Sequence, residues 1–404
     1  MFAVDPLLGA NIDLGIVLIV LLKTLVIFGL LLVSVIVMVW FERRVIGVMQ
    51  NRLGPNRAGP FGLGQTLADG LKLIFKEDLI PERADRIVFK LAPFLSLVPA
   101  FITFAIVPIG GNFADKSGVI HIFGHDTFLQ LADPPIGILL MLAMSAVTVY
   151  GVMLAGWSSG SKYPLLGSVR ATAQMVSYEA ALGLSIVMVV LVSGSLTTHQ
   201  IVAQQSGWFW KWNVAVTGIV PFVVFLIAGT AESHRPPFDL VEAESELVAG
   251  YQTEYASFRF AIFYLAEYLA IIVMSAVLVT LFFGGPSGPN IIGPDWIWGL
   301  LWFQVKLWSF LFFFVWVRAT LPRFRYDQLM DLGWKLLIPL SLGWLLLLIA
   351  LRVGTDEGWN VVVVAIASIA VLAAGYALIA LALRTSAKHT AAQGTPSGLP
   401  KGAQ

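Results

Sequence analysis

Residues 14–40 read LGIVLIVLLKTLVIFGLLLVSVIVMVW, twenty-seven positions with a single charge, Lys23. A hydrocarbon layer about 30 Å thick is crossed by about 20 consecutive apolar residues in helical form. Backbone polar groups find no water there, and a helix satisfies all of them within one segment. This stretch therefore reads as a membrane-spanning helix. Working outward, eight more stretches meet or nearly meet the same test: roughly 91–109, 136–155, 175–192, 214–230, 260–283, 296–317, 336–351 and 359–383. The fold class is an all-α polytopic membrane protein, with glycine, proline, asparagine and aspartate at the joints between spans. Pro93, Pro99 and Pro108 predict a kinked second span, which packed neighbours tolerate.

Composition agrees. The 404 residues are 58% hydrophobic and 12% charged, against about 25% charged in a soluble domain. A net charge of +1 gives no support to a nucleic-acid partner. With no cysteine, the chain itself has no disulfide, thiolate metal site or iron–sulfur cluster. The N-terminus lacks a basic region and a small-residue cleavage site, so no signal peptide is expected. No internal repeat is visible, which counts against a repeat-built transporter.

Orientation follows from lysine and arginine in the loops. Loops 42–90, 157–174, 231–259 and 318–335 together hold seventeen of them, and the alternate set 110–135, 193–213, 284–295 and 352–358 holds three. The first set is expected in the cytoplasm, the N-terminus outside, and the tail, returned by the ninth span, in the cytoplasm. The first cytoplasmic loop is too long for a plain connection. Within it Leu63, Leu67, Leu71, Ile74 and Phe75 recur at helical spacing with Asp69, Lys72 and Lys76 between them. That is an amphipathic helix for the membrane surface, either a plain interfacial anchor or the wall of a binding site. Residues 385–404 are small and polar and read as a disordered tail.

Four charged residues fall inside apolar spans, where each costs about 2.5–3.5 kcal/mol at the helix centre and suggests function. They are Lys23, Glu179, Glu267 and Lys306. Lys23 has a structural alternative, a stem that snorkels to the outer surface. Glu179 can be set against Arg170 or water, and a buried Glu267–Lys306 pair is a structural alternative for the other two. Carboxyl groups taken out of water can hold protons near neutral pH, as proton-moving proteins require.

The densest charge lies in Gly229–Arg259, GTAESHRPPFDLVEAESELVAGYQTEYASFR. It contains Glu232, Asp239, Glu242, Glu244, Glu246 and Glu254, a quarter of all the carboxylates, with Arg235 among them. If residues 239–250 are helical, Asp239, Glu242 and Glu246 share one face, where like charges repel. The loop is either solvated, or partly buried by its interleaved Phe238, Leu240, Val241, Leu247, Val248 and Tyr251. Pro236-Pro237 redirects the chain. In the last cytoplasmic loop, Arg318, Arg323 and Arg325 either follow the positive-inside rule or pair with these carboxylates. His121 and His125 lie four apart in an outer loop without further donors, so no metal site is expected.

Four long segments carry a family resemblance: FERRVIGVMQNRLGPNRAGPFGLGQTLADGLKLIFKED, SKYPLLGSVRATAQMVSYEAALG, AESHRPPFDLVEAESELVAGYQTEYASF and RATLPRFRYDQLMDLGWKLLIPL. They resemble, in order, the cytoplasmic-side motifs of the H-subunit family of proton-pumping NADH:quinone oxidoreductase (respiratory complex I). The mitochondrial counterpart is NADH dehydrogenase subunit 1. The resemblance covers about residues 10–351. It implies a bacterial cell-membrane subunit at the arm junction that forms the quinone-access chamber and couples quinone reduction to proton translocation. No catalytic residue is expected in this chain. Ubiquinone or menaquinone is the implied substrate, with FMN and iron–sulfur clusters in partner subunits. Those partners are the iron–sulfur and quinone-reducing peripheral-arm subunits, small membrane subunits and antiporter-like subunits, besides lipid.

Residue by residue, the resemblance places Glu42, Arg43, Arg52, Asp69, Tyr264, Arg318, Arg323 and Arg325 around the chamber and its entrance. The interfacial helix becomes part of the entrance wall. Glu179, Glu232, Asp239, Glu242, Glu244, Glu246, Glu254 and Glu267 form an acidic coupling chain, with Arg170, Arg235 and Lys306 as basic members. The chain departs from the common eight-span pattern in residues 352–384, an added transmembrane helix, and in the tail 385–404. Two rivals stand: a kindred membrane subunit of a hydrogenase or other non-NADH oxidoreductase, and a stand-alone ion-coupled transporter.

Overall fold

Asp13 accepts a hydrogen bond from Leu14 N at 2.7 Å and opens helix α1 (Leu14–Met49). At 1.5 Å per residue its 36 residues run about 54 Å, well beyond a hydrocarbon layer. The helix therefore does not stop where the apolar run stops at Trp40. It carries Glu42, Arg43 and Arg44, all good helix formers, out of the membrane as one rigid rod. The computed structural model describes residues 5–9, 13–113, 117–239, 248–289 and 294–359, together with 363, 364, 366 and 370.

After α1 come α2 (Gln65–Phe75) and α3 (Arg86–Ala105), the latter capped by Asp85, which accepts from Ile87 N and Val88 N at 3.1 and 3.3 Å. Pro93 and Pro99 lie inside α3, while Pro108 falls beyond its end. A two-stranded antiparallel hairpin, β1 (Val119–Ile122) and β2 (His125–Phe128), leads to α4 (Gly137–Ser158) and α5 (Lys162–Ser193). α6 (Thr198–Gln204) and α7 (Asn213–Val216) are short. Then follow α8 (Ile219–Glu232), α9 (Ser257–Phe282), α10 (Asp295–Thr320) and α11 (Tyr326–Asp331). A π-helical turn over Leu332–Leu337 joins α11 to α12 (Ile338–Asp356).

Among the described residues, seven helices have the length and apolar composition to cross a membrane. The span expected at 214–230 emerges broken. Gly218 adopts φ 84° between α7 and α8, and α8 is a shorter apolar helix of 14 residues. The span expected at 175–192 starts thirteen residues earlier, at Lys162, because a helix continues wherever its residues permit. Beyond Trp359, the ninth expected span and the tail lie almost wholly outside the described residues.

The chain divides into two units, residues 1–341 and 342–404. In the first, α3 packs on α4, α4 on α5, and α5 on α8. Gly151 makes one of these approaches possible, since a Cβ there would sit 2.7 Å from Ser96 N. α9 is the central rod. From Ile271 to Phe282 nearly every side chain is buried, as expected of a helix apolar all round. In the second unit, Arg352 and Asp356 pair one turn apart at 3.6 Å on an exposed face.

Candidate functional site: a buried charge cluster at the helix ends

Where α1 leaves its apolar run, Glu42 is only 3% exposed. A buried carboxylate needs compensating charge, and two arginines supply it. Arg235 Nη1 lies 3.3 Å from each Glu42 oxygen, and Arg318 Nη1, near the end of α10, pairs with Glu42 Oε1. Arg235 Nε faces Glu267 Oε1 of α9 at 3.0 Å, out of line for a hydrogen bond, and its Nη2 has no hydrogen bond among the described residues. The guanidinium carbon stands 4.1 Å from the ring centre of Tyr268, whose hydroxyl accepts from Tyr264 at 3.1 Å. Burial alone would lower the Arg235 pKa; Glu267 and Tyr268 outweigh it and hold the value above that of an ordinary guanidinium. Arg235 is thus a fixed positive charge joining α1, α9 and the segment after α8.

A second pair extends the cluster outward. Arg43 Nη1 donates to Asp69 Oδ2 at 2.6 Å, and Gln65 Nε2 to Asp69 Oδ1 at 3.0 Å, tying α1 to α2. Beside it Arg43, Arg52, Leu53, Gly54, Pro55 and Gln65 line an open cavity of about 350 Å³. No residue of α2 is buried, and Leu67, Leu71, Ile74 and Phe75 are each more than half exposed.

The segment carrying Arg235 is held from α5. Gln174, fully buried, donates through Nε2 to Ala231 O at 2.8 Å and to Phe238 O at 2.9 Å, bracketing residues 231–238. His234 within it adopts φ 51°, a conformation unusual for a side chain with a Cβ. Burial pushes its imidazole down to about 4, against a bond to the Ala171 carbonyl, so it is neutral at physiological pH. Asp239 is buried and meets Arg323 Nη2 at 3.4 Å, and Phe238 stacks on Phe324 at 5.5 Å. Of the two readings of the last loop, pairing with the acidic stretch therefore holds for Arg323, through Asp239, whereas Arg318 pairs with Glu42 of α1 instead. Arg325 instead pairs within its own loop, with Asp327 at 2.9 Å, both well exposed.

The remaining sequence candidates fall as follows. Glu232 ends α8 and accepts from Ser145 Oγ of α4. Glu179 is half-buried on α5, nine residues from Arg170, about 13–14 Å along one helix, so the two do not pair. The Arg170 guanidinium lies 5.4 Å from the Tyr326 ring centre. Glu254 is half-buried in the turn before α9. Glu242, Glu244 and Glu246, and with them the proposed Asp239/Glu242/Glu246 face, lie outside the described residues.

Two structural alternatives from the sequence are corrected. Glu267 and Lys306 are not partners: Lys306 Nζ donates to the carbonyls of Phe283, Gly285 and Ser287 at 2.7, 2.9 and 2.6 Å. Those carbonyls lie sixteen or more residues beyond Glu267, about 24 Å along α9. Nor does Lys23 snorkel. It is 7% exposed, 3.0 Å from Asp5 Oδ2 and 2.9 Å from Thr127 Oγ1. His121 pairs with Asp126, and no group of three metal-ligating side chains occurs among the described residues. Gln174 and Ser145 were missed by sequence reasoning. Both are uncharged residues on helix faces with no pattern to mark them.

Residues 22–349 match the family model described as NADH dehydrogenase. The H subunit of NADH-quinone oxidoreductase from Frankia alni is 51% identical over 338 residues, covering 83% of this chain and 73% of that protein. The H subunit from Cutibacterium acnes is 48% identical over 357 residues, covering 84% and 79%. That from Streptomyces avermitilis is 46% identical over 370 residues, covering 90% and 79%. The matched span takes in every residue of the charge cluster, from Glu42 to Arg323, and the chain belongs to the NADH dehydrogenase family, among the membrane H subunits of the NADH-quinone oxidoreductase complex.

Proposed function

We propose that this chain forms the quinone-access chamber at the arm junction of the complex and couples quinone reduction to proton translocation. The observation that carries the reading is the Glu42–Arg235–Glu267 triad. It joins the α1–α2 side, with its arginine-lined cavity, to α9 and to the segment that begins at Glu232. The exposed apolar face of α2 suits an entrance wall wetted by lipid, with Tyr264, Arg43, Arg52 and Asp69 behind it. Quinone, ubiquinone or menaquinone, is the substrate in this reading, and FMN and iron–sulfur clusters belong to peripheral-arm partners. The small membrane subunits and antiporter-like subunits receive the signal.

Reduction of a quinone consumes protons and changes the charge next to the chamber. At low dielectric, a changed charge a few ångströms away is worth several kcal/mol, enough to shift a neighbouring carboxyl between its protonated and charged forms. The acidic segment with Glu242, Glu244, Glu246 and Glu254 responds first. Asp239, Glu232, Glu179 and Glu267 pass the change on, with Arg170 and Arg235 as counter-charges. Lys306, its three N–H groups engaged by carbonyls, acts in this reading as a clamp at the far end of α9. The chain sits in the bacterial plasma membrane with its N-terminus outside and its C-terminus cytoplasmic, as the loop charges suggest.

The test is Glu242→Gln and Glu246→Gln in the assembled complex in sealed vesicles. Quinone-linked proton pumping is expected to fall while electron transfer from NADH to an artificial acceptor is retained. Undiminished pumping would sink the coupling role. Copurification with a flavin- and iron–sulfur-containing NADH-oxidising assembly separates this reading from both rivals.

A further inference from the structure

Beside the charge cluster lies a partly open space among the helices. α3, α4, α5, α8 and α9 surround a cavity of about 70 Å³ whose walls are mostly apolar but include Thr103, Ser145, Thr148, Glu232 and Ser233. A space of that size holds a few water molecules, and water stays in a cavity only where two to four polar partners converge. Glu232 supplies the decisive atom. Its Oε1 accepts from Ser145 Oγ, whereas its Oε2 is buried and has no hydrogen bond among the described residues. Buried carboxylate oxygens are rarely left without a partner, and one that shares a cavity with several hydroxyls points to water. Thr148 Oγ1 spends its proton on Met144 O at 3.2 Å and retains lone pairs toward the cavity.

We infer that Ser145 is a positioning residue that fixes the Glu232 carboxyl by one oxygen, leaving the other to exchange its proton with water held in this cavity. The hydroxyl fixes the carboxyl orientation and favours its charged form. A proton arriving on a cavity water passes to Oε2 to give the neutral acid, and returns by the same route. Only O–H bonds are made and broken. The cavity gives Glu232 neighbours on α3 and α4, so the carboxyl has two distinct faces: one to the serine, one to the water.

This inference rests on the coupling reading above, and the experiment separates the two. The pH profile of quinone-linked proton pumping is measured for the assembled complex in vesicles carrying Ser145→Ala, Ser145→Thr, Thr148→Val or Glu232→Gln. Loss of a hydrogen bond to the charged form moves the Ser145→Ala profile to higher pH by about one unit. Ser145→Thr, which restores a hydroxyl, returns it. Thr148→Val removes a water partner while leaving the serine bond, and lowers the pumping rate several-fold without moving the profile. Glu232→Gln abolishes pumping. A wild-type profile in Ser145→Ala beside a dead Glu232→Gln overturns the positioning role, and an unchanged rate in Thr148→Val overturns the water site. Undiminished pumping in Glu232→Gln overturns the coupling reading itself.

Discussion

Arg235 and Glu42, separated by 193 residues in sequence, meet with one guanidinium nitrogen 3.3 Å from both carboxylate oxygens, and each residue is at most 5% exposed. Breaking such a pair from one side leaves an uncompensated buried charge, at a cost of about 3–5 kcal/mol. Arg235→Leu leaves Glu42 and Glu267 without their common partner, and the expected outcome is failed or thermally weakened assembly. Arg235→Lys keeps the charge but not the planar fork, and should fall between. The yield and thermal midpoint of the intact complex check both. A fully stable Arg235→Leu complex would show that the triad is not what holds α1, α9 and the 233–239 segment together.

Gln174→Leu keeps the approximate volume but removes both N–H groups that bracket residues 231–238. Each abandoned buried carbonyl costs about 1–3 kcal/mol. Hydrogen exchange over 231–239 is expected to accelerate at least tenfold, with a parallel fall in quinone-linked turnover. Unaltered exchange would mean that the bracket is incidental.

Burial pushes the Asp133 carboxyl up to about 6, in opposition to hydrogen bonds from Gln130 and Thr198 that favour its charged form. An aspartate in an unfolded chain titrates near 3.9. Between these values the folded chain binds more protons than the unfolded one, so this group makes stability fall as pH rises from about 4 to about 6. Asp133→Asn cannot ionise. Its thermal midpoint should exceed wild type above pH 6, by the equivalent of at most about 3 kcal/mol, and the gap should close toward pH 4. Parallel curves for the two proteins would remove Asp133 as the cause.

A charge on the exposed apolar face of α2 tests its contact with lipid or quinone. Leu71→Glu places a carboxylate where a side chain now 56% exposed would enter the interface. Losing the burial of one leucine is worth about 1.5–3 kcal/mol, so the apparent KM for a long-chain quinone should rise about tenfold or more. Turnover with a water-soluble electron acceptor should not change. Equal KM values would place this face away from the quinone route.

What the sequence made legible and what it concealed differ in kind. Apolar runs such as 14–40 are visible because hydrocarbon selects composition over about 20 residues, and one alternate set of loops is visible because it holds most of the loop lysines and arginines. Helix ends were not. Composition records where the membrane ends, whereas α1 and α5 continue through charged residues that are good helix formers. The partners of buried charges were equally hidden. Glu267 and Lys306 read as a pair because both are rare charges in adjacent spans, but pairing depends on depth along the helix, which spacing between spans does not give. Ser145 and Gln174 look like ordinary polar residues until the carboxyl and the carbonyls they serve are brought to them by the fold.

The Lys306 clamp bears on how any signal travels. Its ammonium grips three carbonyls at the end of α9, a helix encased along most of its length, and Trp212 stands 4.6 Å from the same ammonium. A rod pinned at one end and sheathed along its flank does not act as a piston. The other end is tied as well: Ser257 Oγ donates to the carbonyls of Leu73 and Lys76 at 3.0 and 2.7 Å, and Arg259 pairs with Asp78 at 3.0 Å. Held at both ends, α9 is a stationary axle, and Glu267 is offered a change of charge around it rather than a change of place.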